Sequence, residues 1–372
     1  MRIIFRSLVV LLLLAGAKSA WAQQGRVKVL ADQDSAGPHG TNFLSLLMLL
    51  MAPEVELLGI TTITGDQWVD QETVFALYAL ELTDRADVPV VKGAALPLLN
   101  SAAEQEGREA LYGSHATWHG AFNPDAPGPT RTWEPPGGWP TLSPRPGHAA
   151  DFIIETIRRH PGEVVLYCAG PLTNVALAVR LDPGIVELTR ALYVMGGSER
   201  GGWELNWWWD PEAAAIVMRE PWREIVVTPG ETGAQIWSSE DLMRPIASSG
   251  GRLGSHIRSL YLEFEPPDNN TVWSMMWDEV LVASLLDPGV IARWEDLYLD
   301  VVIDHGPKYG HSLVWRPPGA LSFFLPYSGP DPLDEEKWRE HLVPPFNRQR
   351  ARVQMEVDPK RFHDLFVAVL SR

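Results

Sequence analysis

From Arg26 onward, short runs rich in β-branched residues alternate with longer stretches whose apolar positions recur every three or four residues. The short runs at 27–31, 55–64, 88–91, 164–169, 191–195 and 225–228 read as strands, and the stretches at 42–51, 70–82, 149–159, 172–181 and 211–218 read as helices. Strand and helix in turn predict a parallel sheet covered by helices. Asp210-Pro211-Glu212 marks one helix start sharply: an N-cap carboxylate, a proline at the first helical position and an acid at the positive end of the dipole.

One stretch breaks the rhythm. Residues 100–147 are rich in Pro, Gly, Trp and His and hold no sustained period. A structureless stretch of that length inside an α/β domain is a substrate loop or lid. No internal repeat and no linker divides the rest, so one domain over 23–372 is expected.

The first 22 residues follow a different pattern. Arg2 and Arg6 precede an apolar run too short to span a bilayer, and Ala20-Trp21-Ala22 supplies the small residues a signal peptidase reads. Residues 1–22 are therefore expected to be an export signal cleaved after Ala22, leaving a periplasmic or secreted chain with no membrane attachment. Loss of Arg2, Arg6 and Lys18 takes the net charge from −16 to −19. Such a surface repels phosphate backbones and excludes nucleic acid as a partner. Cys168 is the only cysteine, which rules out an internal disulfide and a cysteine-based zinc site and reads as a small buried hydrophobe.

Ligands of open α/β sheets bind beyond the carboxyl ends of the strands. After the first strand stand Asp32 and Asp34, which alternation sends to one side. Two like charges there need a cation, or one must hold a proton, and a hard cation such as calcium takes oxygen ligands. The chain contains no Gly-x-Ser-x-Gly, P-loop, dinucleotide-binding or His-Glu-x-x-His motif.

Further along come Ala169-Gly170-Pro171-Leu172-Thr173-Asn174, Met195-Gly196-Gly197, Glu204-Leu205-Asn206, Asp210-Pro211-Glu212-Ala213-Ala214 and Trp277-Asp278. In order and spacing the set resembles the inosine-uridine preferring nucleoside hydrolase family over essentially the whole mature chain, including a closing strand and helix over 353–370. The resemblance implies a single open α/β domain with a mostly parallel, Rossmann-like sheet and helices on both faces. It also implies Ca2+ as cofactor, a nucleoside as substrate, and a homo-oligomer, dimer or tetramer.

By resemblance, Asp34 is the general base and a calcium ligand, with Asn42, Asp278 and the Ala169 carbonyl completing the metal set. Asp32 is the strand partner of Asp34 on the substrate side. Glu204 and Asn206 match residues that bind ribose hydroxyls, and their spacing in an extended segment points both at one sugar. The chain also departs from the family. Its first loop is about three residues longer than Asp-x-Asp-Pro-Gly-x-Asp-Asp, which places Thr41 and Asn42 where two aspartates are usual. Asp66 stands where asparagine is usual and returns one negative charge.

Trp277 replaces a histidine, as in the purine-preferring inosine-adenosine-guanosine type, which sandwiches the base between aromatic rings. Trp118 is the candidate second ring, His311 is the histidine placed to act as an acid, and the run Trp207 to Trp209 reads as packing. The implied reaction is hydrolysis of the N-glycosidic bond of a purine ribonucleoside by a calcium-activated water. The alternatives are an exported nucleoside- or sugar-binding protein of this fold and a hydrolase of another glycoside.

Overall fold

A computed structural model describes residues 25–113, 118–123, 126, 128–264, 273–316 and 350–372. The expected export signal lies outside the described residues, as do parts of the 100–147 segment.

Nine strands form one sheet in the order β3-β2-β1-β4-β5-β6-β9-β7-β8. They are β1 (Val27–Gln33), β2 (Val55–Thr62), β3 (Val90–Lys92), β4 (Val165–Ala169), β5 (Ala191–Met195), β6 (Ile225–Thr228), β7 (Ile291–Val301), β8 (Ser312–Trp315) and β9 (Arg350–Val357). All neighbours from β3 through β9 run parallel, and β7 pairs antiparallel with both β9 and β8. The expected open, mostly parallel α/β sheet is present.

The helices used below are α1 (Thr41–Met51), α2 (Val69–Leu82), α3 (Ala102–Tyr112), α4 (Ala149–Arg159), α5 (Thr173–Leu181), α6 (Leu205–Trp209), α7 (Pro211–Met218), α8 (Glu240–Ser248), α9 (Gly251–Ile257), α10 (Trp277–Leu286) and α11 (Pro359–Leu370). Alternate residues of β1 enter opposite cores. Val29 and Ala31 pack with α1, α2 and α10, whereas Leu30 packs with α4, α5 and α7. Helix α1 is apolar nearly all round and has ten buried residues, as a helix does when it is covered on every side. Each buried leucine there contributes roughly 1.5–3 kcal/mol.

One sequence expectation needs correction, and one element was missed. The 100–147 segment is not structureless throughout: Ser101 accepts the Glu104 N–H and starts α3. Only Gln105 of that helix is buried, so its apolar period is too faint to read. The hairpin β7–β8 was also not foreseen, because the first half of β7 is largely solvated and lacks a continuous apolar run.

The strand order reverses direction at β1, with β2 on one side and β4 on the other. The crevice beyond the carboxyl ends of β1 and β4 is the switch point at which such sheets bind ligands. Gln33 and Ala169 are paired at that edge.

Candidate active site

Asp34 follows β1 immediately and is 1% exposed. Its Oδ2 accepts the Asp66 backbone N–H at 2.9 Å, and its Oδ1 accepts the Asn42 Nδ2–H at 2.6 Å. Two glycines make room for it. A Cβ on Gly170 would lie 2.9 Å from the Asp34 nitrogen, and one on Gly65 would fall onto Oδ2. That explains why Gly170 opens the turn after β4.

Burial, then Asp66, Glu72 and Asp278, hold the Asp34 carboxyl well above the usual carboxylate range. Every charged neighbour that shifts it is an acid. Asp278, in the first turn of α10, is raised by burial and by Asp66 and Glu204, against a hydrogen bond from Gln33. Glu204 is pushed up to about 7, chiefly by burial, while three backbone N–H groups oppose the rise. Asp34, Asp66, Glu72, Glu204 and Asp278 thus converge electrostatically from five separate segments.

Asp32 is set apart from this group. Its Oδ1 accepts from Thr61 Oγ1 at 2.6 Å and Asn174 Nδ2 at 2.8 Å, and burial raises it to about 6. The acids that raise Asp34 are Asp66, Glu72 and Asp278 rather than the strand partner expected from alternation. Asn174 also donates to the Thr62 carbonyl and accepts the Ala94 N–H, so this one residue in the first turn of α5 ties three strand ends together.

Thr41 and Asn42 begin α1. Thr41 Oγ1 accepts the Asp278 N–H at 2.9 Å and donates to Glu279 at 2.6 Å. Its hydroxyl is therefore engaged at the start of α10. Asn42 gives its amide hydrogens to Asp34, which leaves its Oδ1 as the atom able to face a cation.

The extended geometry expected for Glu204 and Asn206 is also corrected. Glu204 is the N-cap of α6 and accepts from Asn206, Trp207 and Gly197 backbone N–H groups, and Asn206 lies within the helix. Gly197 reaches Glu204 from a left-handed turn, φ 73°, that favours glycine. Both side chains remain at the strand-end edge, Asn206 donating to the Met195 carbonyl at 3.2 Å.

Trp118 is 47% exposed and donates its indole N–H to Asp66 Oδ1 at 2.6 Å, which joins the long segment to the acids. It lines a pocket with Asp66, Trp68, Arg131 and Trp133. Trp277 is half-buried against the turn after β6 and donates to the Gly230 carbonyl at 2.9 Å. His311 lies in the turn before β8, its backbone N–H bonded to the Lys308 carbonyl. Trp207, Trp208 and Trp209 are all buried, as packing residues are.

Three side chains at the site escaped the sequence. Gln33 Nε2 lies 3.1 Å from Asp278 Oδ2, 2.7 Å from the Asn42 carbonyl and 2.6 Å from Ser45 Oγ, which share its two hydrogens. Glu72 is fully buried on α2, where one oxygen takes the Gln67 N–H and the other has no hydrogen-bond partner. Glu279 carries a similar orphan oxygen. A glutamate inside an otherwise apolar helix face is the signal that marks both.

The donor chemistry suits a hard cation: oxygen ligands, an excess of acids, no basic group among the described residues that shifts Asp34 or Asp278, and orphaned carboxylate oxygens. No three of the acids are gathered closely enough among the described residues to form a finished ligand set.

A family model described as inosine-uridine preferring nucleoside hydrolase matches residues 29–364. An uncharacterised protein of Schizosaccharomyces pombe is 32% identical over 274 residues, 71% of this chain and 81% of its own length. A pyrimidine-specific ribonucleoside hydrolase of Escherichia coli is 26% identical over 293 residues, 77% of this chain and 86% of its own. A solved purine-preferring ribonucleoside hydrolase from Gardnerella vaginalis is similar in fold with a TM-score of 0.67 at 20% identity, covering 92% of this chain and 98% of that one.

Proposed function

The chain belongs to the inosine-uridine preferring nucleoside hydrolase family, and we propose that it cleaves the N-glycosidic bond of a purine ribonucleoside, with Asp34 as general base, after export from the cytoplasm. The observation that carries the reading is the buried set of acids around Asp34 at the sheet's switch point.

Asp34, Asp278, the Asn42 amide oxygen and the Ala169 carbonyl are the groups that would hold calcium. Bound there, calcium lowers the pKa of water and orients ribose hydroxyls. Asp34 accepts one proton of the water whose oxygen bonds to C1′, while the bond from C1′ to the base nitrogen breaks, the base keeps the electron pair, and that nitrogen takes up a proton from solvent. Positive charge grows on the ribose as that bond opens, and the carboxylates of Asp66, Asp278 and Glu204 favour it. Glu204 and Asn206 accept and donate hydrogen bonds at the sugar. Trp118 and Trp277 offer indole faces to a purine, whose burial and protonation such faces favour.

The test is release of free base from purine and pyrimidine nucleosides by wild type and Asp34→Ala, with and without chelator. Base release that is lost in both cases supports the mechanism, and release that persists in both refutes it. Tight nucleoside binding without release identifies a binding protein instead.

A further inference from the structure

Residues 35–40, which join Asp34 to α1, lie against α9 and the π-helical turn Arg258–Leu262 that follows it. His256 Nε2 is 3.0 Å from the Pro38 carbonyl, and Nδ1 is 3.0 Å from the Tyr78 hydroxyl. A carbonyl only accepts, so Nε2 carries the hydrogen, and in the neutral ring Nδ1 accepts from Tyr78. Burial keeps the ring neutral by pushing its pKa down to about 4.

The contacts continue outward. Gly137, in the long segment between α3 and α4, lies close against the Tyr78 ring and hydroxyl. A Cβ on Gly137 would sit 2.9 Å from the Tyr78 ring, so glycine permits the approach. A second anchor lies alongside, where the Tyr261 hydroxyl accepts the Gly40 N–H at 2.9 Å. Donors therefore run in one direction from Tyr78 through His256 to Pro38, with Gly137 packed against the tyrosine at the outer end. The other end of the same long segment reaches the acids through Trp118 and Asp66.

We propose that Tyr78 and His256 are positioning residues that couple the segment around Gly137 to the loop 35–40, so that seating this segment and placing Asp34 and Asn42 are one event. The inference rests on the reading of Asp34 as the general base. Neither residue touches the reacting atoms in this account. Their role is to hold the backbone on which Asp34 and Asn42 are mounted, at the junction where the chain departs from the usual family loop.

The experiment compares wild type with Tyr78→Phe, His256→Phe and His256→Gln in the full mature chain. It follows amide hydrogen exchange by mass spectrometry alongside kcat and KM for nucleoside cleavage. Tyr78→Phe keeps the ring stacked on Phe43, 5.9 Å between centroids, and loses only the hydroxyl.

The expected result is exchange about tenfold faster or more in peptides spanning 34–42 and 134–142, with β4 and β5 unchanged. A fall in kcat of about tenfold or more should accompany it, with a smaller change in KM. His256→Gln, which retains a donor for Pro38, should recover most of the protection at 34–42. Unchanged exchange at 34–42 in Tyr78→Phe, or exchange raised equally everywhere, overturns the coupling. Wild type that releases no base overturns the hydrolase reading, and the exchange comparison still decides the coupling.

Discussion

The backbone N–H of Asp66 donates to Asp34 Oδ2 across 2.9 Å, while the Asp66 carboxylate, after burial itself, is among the charges that push the Asp34 pKa upward. The backbone bond attracts and the side chains repel, so the arrangement is ready to be relieved by positive charge. We expect Asp66→Asn to weaken calcium binding by about tenfold, or roughly 1.4 kcal/mol, measured by calorimetry. An unchanged affinity would show that Asp66 is not part of the electrostatic site.

Gly65 and Gly170 both face Asp34 at distances no side chain tolerates. Gly170→Ala should cost about 1–3 kcal/mol of stability from overpacking. The larger expected effect is on catalysis, where displacement of Asp34 should lower kcat by about a hundredfold. Steady-state kinetics beside a thermal melt checks the pair of values, and an active Gly170→Ala with unaltered kcat would refute the placement.

Thr41 bridges the N–H of Asp278 and the carboxyl of Glu279. Thr41→Val removes a donor from a buried acid, and we expect a loss of about 1–3 kcal/mol in denaturant unfolding. Thr41→Ser retains the hydroxyl and should recover most of the loss.

Trp118 stands beside Asp66 and is about half exposed. If it supports a purine, Trp118→Ala should reduce kcat/KM for inosine by about 1–3 kcal/mol in transition-state terms, the range of base stacking on aromatic rings, and for uridine by less. Equal losses for the two nucleosides would remove Trp118 from base selection.

His256 gives a pH dependence whose sign is fixed. Its pKa is lowered from 6.5 to about 4 by burial. Above 6.5 the ring is neutral in both states and the stability is complete. As pH falls through that window the unfolded chain takes up the proton first, so stability declines until about pH 4. The full loss is about 3 kcal/mol. Asp32 and Glu204, raised to about 6 and about 7, act in the opposite direction. Unfolding of wild type and His256→Gln from pH 7 to 4 isolates the histidine by difference, and parallel curves would exclude this effect.

The strands β1 to β6 were legible because each is a short apolar run bounded by a turn, and the Gly-Pro-Leu-Thr-Asn and Asp-Pro-Glu motifs were legible because each acts within a few residues. Gln33 and Glu72 were not. Their reason for being buried lies in partners brought from elsewhere, with 245 positions separating Gln33 from Asp278. The helical start at Glu204 was misread because a carboxylate that caps a helix looks, in sequence, like one in a strand. The role of Thr41 was hidden for the same reason as Gln33, since its partners belong to α10.

That separation also dictates when the site can exist. Asp34 emerges near the start of the folding domain and Asp278 near its end, and Gln33 joins their surroundings only when α10 has docked on β1 and α1. Contacts so distant along the chain close slowly and late. A nascent or partly folded chain therefore carries the acids without the site, and the recovery of activity during refolding should follow the last cooperative step, not the first collapse.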